Sequence, residues 1–355
     1  MFRIIFLALA LLFAIPAAAQ PAPPEAPLLL PQMQLHDPFI VADETTKTYH
    51  LFTRNQAAMS GDRRLGTMVY TSKDLKHWTR PRVVFALPEG TWAKEGSWAP
   101  EVHAWKGKWY LFTTFHNEAM PLPANGKRPL YRRGTILAVA DKVDGPYRVV
   151  RNGEPIAPKE RMTLDGTLHV DPAGKPWLVY AHEWLQTTVG TIEAIPLDDD
   201  LAAIGKPRIL FRANEAPWAK GQLQPDGTSV FVTDGPEFHR TSNGSLVMLW
   251  SSYGERGYVQ SIARSKSGKL EGPWEQLAPL VRRDSGHGML FRAFDGRLMM
   301  VLHRPFTFAL GKLYEMRDTG DSVEVIREAT ELDLEGYPTH PCVQPHTPTE
   351  RKVEC

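Results

Sequence analysis

Five short segments each set an ionisable residue beside Pro or Gly. They are Leu35-His36-Asp37-Pro38-Phe39-Ile40, Trp98-Ala99-Pro100-Glu101-Val102-His103, Leu164-Asp165-Gly166-Thr167-Leu168, Asp234-Gly235-Pro236-Glu237-Phe238 and Gly286-His287-Gly288-Met289-Leu290. Aligned on one register, they offer Asp37, Glu101, Asp165, Glu237 and His287. Gathering several carboxylates at one point is costly unless they ionise selectively or share protons. A cleft ringed by them is the apparatus of glycoside hydrolysis. One carboxylic acid protonates the leaving oxygen, and one carboxylate activates water or attacks carbon. A third raises the pKa of the acid by like-charge repulsion. Glu101 taken alone also reads as a structural acid that ties inner strands together.

The segments that position these residues recur. Tyr49-His50-Leu51-Phe52, Trp109-Tyr110-Leu111-Phe112, Trp177-Leu178-Val179-Tyr180, Val247-Met248-Leu249-Trp250 and Met299-Met300-Val301-Leu302 each read as the second arm of a hairpin. A second pattern follows each one: Gly66-Thr67-Met68, Gly134-Thr135-Ile136, Gly190-Thr191-Ile192, Gly257-Tyr258-Val259 and, less closely, Gly311-Lys312-Leu313. Turns and aromatics near Trp78, Tyr147 and Trp274 supply further strands. Units of about four strands, repeated radially, make a propeller. The expected fold is therefore all-β: one five-bladed β-propeller with four-stranded antiparallel blades over residues 32–335. A two-sheet sandwich does not account for the fivefold recurrence. The first strand of each blade lines the axis, so equivalent positions converge there.

Together these motifs resemble glycoside hydrolase family 43, the inverting five-bladed propeller glycosidases. The resemblance spans nearly the whole chain after its first residues. It implies that Asp37 is the general base, that Asp165 tunes and orients the acid, and that Glu237 is the general acid. It also implies that His287 sits at the axis, binding substrate or helping to hold a structural calcium, with no cofactor required. The chain departs from the family at His36, where Arg is frequent, and at Arg304, where relatives commonly carry Ser. Both are expected in the sugar pocket. Trp98 and Phe115 are candidate sugar-stacking walls. Glu183, at the end of a strand of blade three, is read as a substrate-positioning residue, with a role as acid the alternative. Asp198-Asp199-Asp200 reads as a solvated turn. A retaining five-bladed enzyme is disfavoured by His36 and Phe238. The implied activity is removal of terminal pentose from plant-type oligosaccharides or polysaccharides, as an α-L-arabinofuranosidase. The alternatives are a β-D-xylosidase and a noncatalytic carbohydrate-binding propeller.

The flanks and the composition agree with an exported enzyme. Arg3, the apolar run Ile4 to Ile15 and Ala17-Ala18-Ala19 read as a signal peptide over residues 1–19. That run is too short for a comfortable membrane span, so no membrane insertion and a periplasmic or secreted location are expected. A Pro-rich lead-in with little structure is expected over 20–31, and a tail over 336–355. Cys342 and Cys355 are the only cysteines; both lie in that tail and can pair in an oxidising compartment. Lys+Arg 41 against Asp+Glu 40 gives a formal charge of +1, with no footprint for nucleic acid.

Overall fold

In the computed structural model, residues 26–335 are described, apart from Asn125 and Lys127. The signal segment, the start of the lead-in and the tail with Cys342 and Cys355 lie outside them.

The aromatic and branched runs form second strands because both of their faces are covered. All seven residues of Pro176–His182 are buried, so the run shows no polar alternation. Around these strands the chain builds five antiparallel sheets of four strands each, every sheet made of consecutive strands. Blade one holds Phe39–Asp43, Thr48–Arg54, Gly66–Ser72 and Arg82–Ala86. Blade two holds Glu95–Trp105, Lys108–Pro121, Tyr131–Ala140 and Arg148–Val149. Blade three holds Thr163–Val170, Pro176–His182, Thr191–Pro196 and Arg208–Arg212. Blade four holds Asp234–Arg240, Leu246–Gly254, Gly257–Ser265 and Trp274–Gln276. Blade five holds Gly286–Arg292, Leu298–Arg304, Leu310–Asp318 and Val323–Glu328. The innermost strands pack one against the next and return from blade five to blade one, closing a five-bladed propeller. A two-residue hairpin, Gln222–Leu223 with Ser229–Val230, stands outside the blades.

No strand is exchanged between the first and last blades, so the ring needs another latch. The lead-in supplies it, contrary to the expectation that it has little structure. Leu28 exchanges two backbone hydrogen bonds with Trp78 of blade one, at 2.7 and 2.8 Å. The Leu35 N–H donates to the Ala309 carbonyl beside blade five at 3.1 Å. Between them Leu30–Gln32 makes one 3₁₀ turn. Leu28, Leu30, Met33 and Leu35 are all buried. Proline content hid these apolar residues, whose burial offsets the cost of ordering the segment.

The inner strands share a second device. Asp37, Ala99, Asp165, Gly235 and His287 all have φ between 43° and 54°. In blades two, three, four and five the ladder register slips beside this residue. Such a bulge bends the strand and re-aims its side chains. It also frees backbone N–H groups, and the preceding blade accepts several of them. Asp165 N–H donates to Thr114 Oγ1 at 2.9 Å, and Gly166 N–H to Thr135 Oγ1 at 3.0 Å. His287 N–H donates to Ser251 Oγ at 2.8 Å, and Asp37 N–H to His303 Nδ1 at 3.3 Å.

The latch predicts an effect that Pro-rich composition alone would not. Leu30→Ala should lower the free energy of unfolding by about 2–5 kcal/mol, the usual cost of truncating a buried Leu. Urea denaturation of the purified protein measures it; a loss under about 0.5 kcal/mol would show that the segment closes nothing.

Candidate active site

The bulges decide which side chains meet. The pairings Asp234 with Ser251 and Glu237 with Leu249 match Gly286 with His303 and Met289 with Val301. Gly235 is therefore the counterpart of His287, and Glu237 that of Met289. The same comparison makes Trp98 the counterpart of Asp234 and Glu101 that of Glu237. The single register read from sequence is corrected to two. Asp37, Ala99, Asp165, Gly235 and His287 occupy one ring. Glu101 and Glu237 lie two residues further along their strands, in a second.

Asp37 and Asp165 of the first ring, joined by Asp234, line the floor of an open cleft of about 880 Å³, while Ala99, Gly235 and His287 face the axial cavity beneath it. His287 Nδ1 lies 3.2 Å from Asp37 Oδ1, 3.6 Å from Asp234 Oδ1 and 3.9 Å from Asp165 Oδ2. His36 Nδ1 stands 2.9 Å from Asp37 Oδ1, and its ring stacks on His303 at 4.1 Å. Burial alone would raise the Asp37 carboxyl, but His287, His36 and His303 hold it well below the carboxylate range. Asp165 moves the other way: burial and then repulsion from Asp234 push it well above that range. Asp234 is only partly buried; desolvation would raise it, yet hydrogen bonds from Asp165 and His287 hold it at about 2. Its Oδ2 accepts the Tyr258 hydroxyl. Burial would lower His287, but Asp37, Asp165 and Asp234 outweigh it and keep the ring an imidazolium. One proton on Asp165 and one positive ring thus reduce the charge of three close carboxyls to a net −1. Gly235 is needed here. Its φ is +48°, and a Cβ there would stand 2.9 Å from the His287 ring.

The second ring faces a small axial cavity beneath, with room for about one water. Glu237 Oε2 accepts from Thr167 Oγ1 at 3.1 Å, and His103 Nε2 lies 2.9 Å from Glu101 Oε2. Burial raises both acids to about 8; for Glu237 the nearby Glu101 adds to it. Asp37 and Asp165 thus come together with His287, while Glu237 lines the axial cavity and not the cleft.

Other expected residues divide in the same way. His36, Trp98 and Glu183 line the cleft. Phe115 does not; it is fully buried, edge-on to Phe85 in the core between blades. Arg304 does not either. It bonds Glu328 at 2.7 Å and Glu335 at 2.9 Å, held on the blade-five sheet away from sugar. Sequence reasoning missed Asp234, which stands in the fourth segment but off the register assigned to Glu237. It also missed Arg133, whose guanidinium lies 4.8 Å from the Trp98 ring centre and 5.0 Å from that of Tyr131. The usable signal for Asp234 was that Gly235 alone in its segment adopts positive φ without cost. Asp165, Asp234 and His287 bring ligand atoms within 4.8 Å of one another, a set that can hold a cation. The imidazolium already puts positive charge there.

A cleft floored by ionised and protonated carboxyls on a five-bladed propeller is the site of a glycoside hydrolase. Comparison with known proteins gives the family: residues 29–319 match the model for glycosyl hydrolases family 43, and the chain belongs to it. The chain is similar to an extracellular exo-α-(1→5)-L-arabinofuranosidase of Cellvibrio japonicus, 25% identical over 77% of this chain and 79% of that one. It also resembles a xylosidase/arabinosidase of Humicola insolens, 29% identical over 29% of this chain and 27% of that protein. Among solved structures, an endo-arabinase from Bacteroides thetaiotaomicron is 34% identical, with a TM-score of 0.72 over 82% of this chain and 98% of that one. The protein is an inverting glycoside hydrolase.

The second ring gives a pH signature. A carboxyl raised from 4.5 to about 8 by folding supports the fold fully below pH 4.5. That support is lost as pH rises through 8, because the unfolded chain binds fewer protons. Glu101→Gln mimics the protonated acid. Relative to wild type, its melting temperature should gain at least about 2 °C on going from pH 5 to pH 8. A constant difference across that range would mean Glu101 is already ionised.

Proposed function

We propose that this protein is an exported, exo-acting α-L-arabinofuranosidase that removes terminal arabinofuranosyl groups from plant-type oligosaccharides or polysaccharides. The observation that carries the reading is the floor of the cleft, where Asp37 is an ionised base among three histidines in a family 43 propeller. Asp37 takes a proton from a water on one face of the sugar, and a carboxylic acid on the far wall protonates the departing oxygen. Asp165 holds a proton next to Asp234 and keeps the floor from accumulating charge. Trp98 offers a ring face to the sugar.

Exo action is supported by the wall between blades two and three. There Arg128 bonds the Trp184 carbonyl at 3.0 Å and the Thr188 hydroxyl at 2.9 Å, joining the two blades beside the cleft. The Cellvibrio japonicus relative is an exo-enzyme acting on arabinofuranose and is extracellular. Export is supported further by Arg3, the Ile4 to Ile15 run and Ala17-Ala18-Ala19. Among the described residues no helix is long and apolar enough to cross a membrane. Catalysis needs no cofactor in this reading. A calcium ion, if present, would be held by Asp165, Asp234 and His287, and would supply the positive charge that the imidazolium otherwise provides.

A substrate panel tests the reading. Aryl α-L-arabinofuranoside should be cleaved at least about tenfold faster, in kcat/KM, than aryl β-D-xyloside, a difference worth about 1.4 kcal/mol. NMR of the first product should show the inverted anomer. Faster xyloside cleavage would move the assignment to a β-D-xylosidase, and binding without turnover of either would leave a binding propeller. Asp37→Asn should reduce kcat by about 10²–10⁴-fold on every substrate. Exhaustive dialysis against EDTA should leave kcat/KM unchanged.

A further inference from the structure

The family 43 reaction needs a proton donor, and Glu237 does not face the cleft. Six carboxyls line the cleft; Glu95 and Glu118 are exposed to solvent, and three of the other four are already committed. Asp37 faces His287, His36 and His303. Asp234 accepts the Tyr258 hydroxyl and faces His287. Asp165 accepts the Gly235 N–H at 3.3 Å and lies against Asp234. All three approach one nitrogen of one ring, so they share the floor. An inverting acid must reach the sugar from the face opposite the base.

Glu183 stands elsewhere. It follows the second strand of blade three, a blade not adjacent to blade one, and lines the same cleft. Its side chain is 9% exposed. Oε1 is held by Arg133 at 3.0 Å, and Oε2 has no hydrogen-bond partner. A buried carboxyl oxygen left without a partner is costly and calls for an explanation. Arg133 is fixed between the Trp98 and Tyr131 rings and bonds the Tyr131 hydroxyl, so the carboxyl is aimed.

We propose that Glu183 is the general acid, delivering its Oε2 proton to the glycosidic oxygen. This rests on the inverting-glycosidase reading of the cleft but not on which pentose is released. In the step, the C1–O bond to the leaving group breaks and that oxygen takes the Glu183 proton. The water oxygen bonds C1 from the other face, and Asp37 takes the proton that water gives up. Solvent then returns a proton to Glu183 and removes one from Asp37. Arg133 stabilises the Glu183 carboxylate formed in between. The groups facing Glu183 are Arg133, Asp234, His182 and the Leu185 N–H. Burial leads, Asp234 adds to it, and together they raise the carboxyl despite the opposing pull of Arg133 and the other two.

The test uses whichever glycoside the wild type cleaves, so a wrong choice of sugar fails separately, on the wild type. Glu183→Gln should lose at least about 10²-fold in kcat/KM on the unactivated oligosaccharide. On the dinitrophenyl glycoside, whose leaving group needs no proton, the loss should stay within about tenfold. That residual activity also reports that the variant folds. The alkaline limb of its pH profile should disappear, and in Arg133→Met the limb should move to higher pH. Glu237→Gln should keep both activities and the limb. Equal losses on both substrates, a surviving alkaline limb, or leaving-group dependence in Glu237→Gln instead would overturn the assignment.

Discussion

A single imidazole holds the inner end of this propeller together. His287 faces Asp37, Asp165 and Asp234 from one nitrogen, at 3.2 to 3.9 Å. Three carboxylates at such range, two of them buried, cannot all ionise without a compensating charge. The ring supplies one positive charge and Asp165 keeps one proton. That division leaves Asp37 anionic in a place where burial alone would neutralise it. A water-activating base and a floor left with a single net negative charge are thus two results of one contact.

The contact exists because the inner strands of blades two to five break their own ladders and blade one turns just before its first strand. A residue at positive φ turns the strand at the same depth in all five blades. The freed N–H groups of blades one, three and five are accepted by Thr114, Thr135, Ser251 and His303, each on the preceding blade. The geometry of the floor therefore depends on how blades pack, not on any blade alone. The latch from Leu28 to Leu35 serves the same end. It fixes blade one against blade five, and Asp37 follows directly after it.

Much of this can be read from the sequence, and the failures have one origin. Tyr49 to Phe52 and its four counterparts read as strands because aromatic and branched residues fit a pleated surface covered on both sides. Asp37, Asp165 and His287 are recognisable because they sit beside Pro or Gly, where a strand is expected to turn. Glu237 is misplaced because counting along a strand assumes an unbroken pleat, and one bulge shifts every later side chain. Asp234 is passed over for the same reason. Phe115 and Arg304 mislead differently. An aromatic serves core and sugar equally well, and an Arg takes whichever carboxylates the fold brings to it, here Glu328 and Glu335.

Sequence by itself determined the number of blades and the segments that carry acids, because strands and turns are local and their patterns recur. It determined the types of residue that reach the axis. Tertiary structure alone decided which carboxyl faces the cleft and which is buried below, because that choice depends on a left-handed residue and on partners up to 266 positions away. It alone decided protonation, since the charge of Asp37, Asp165 and Asp234 is set by neighbours that only folding assembles.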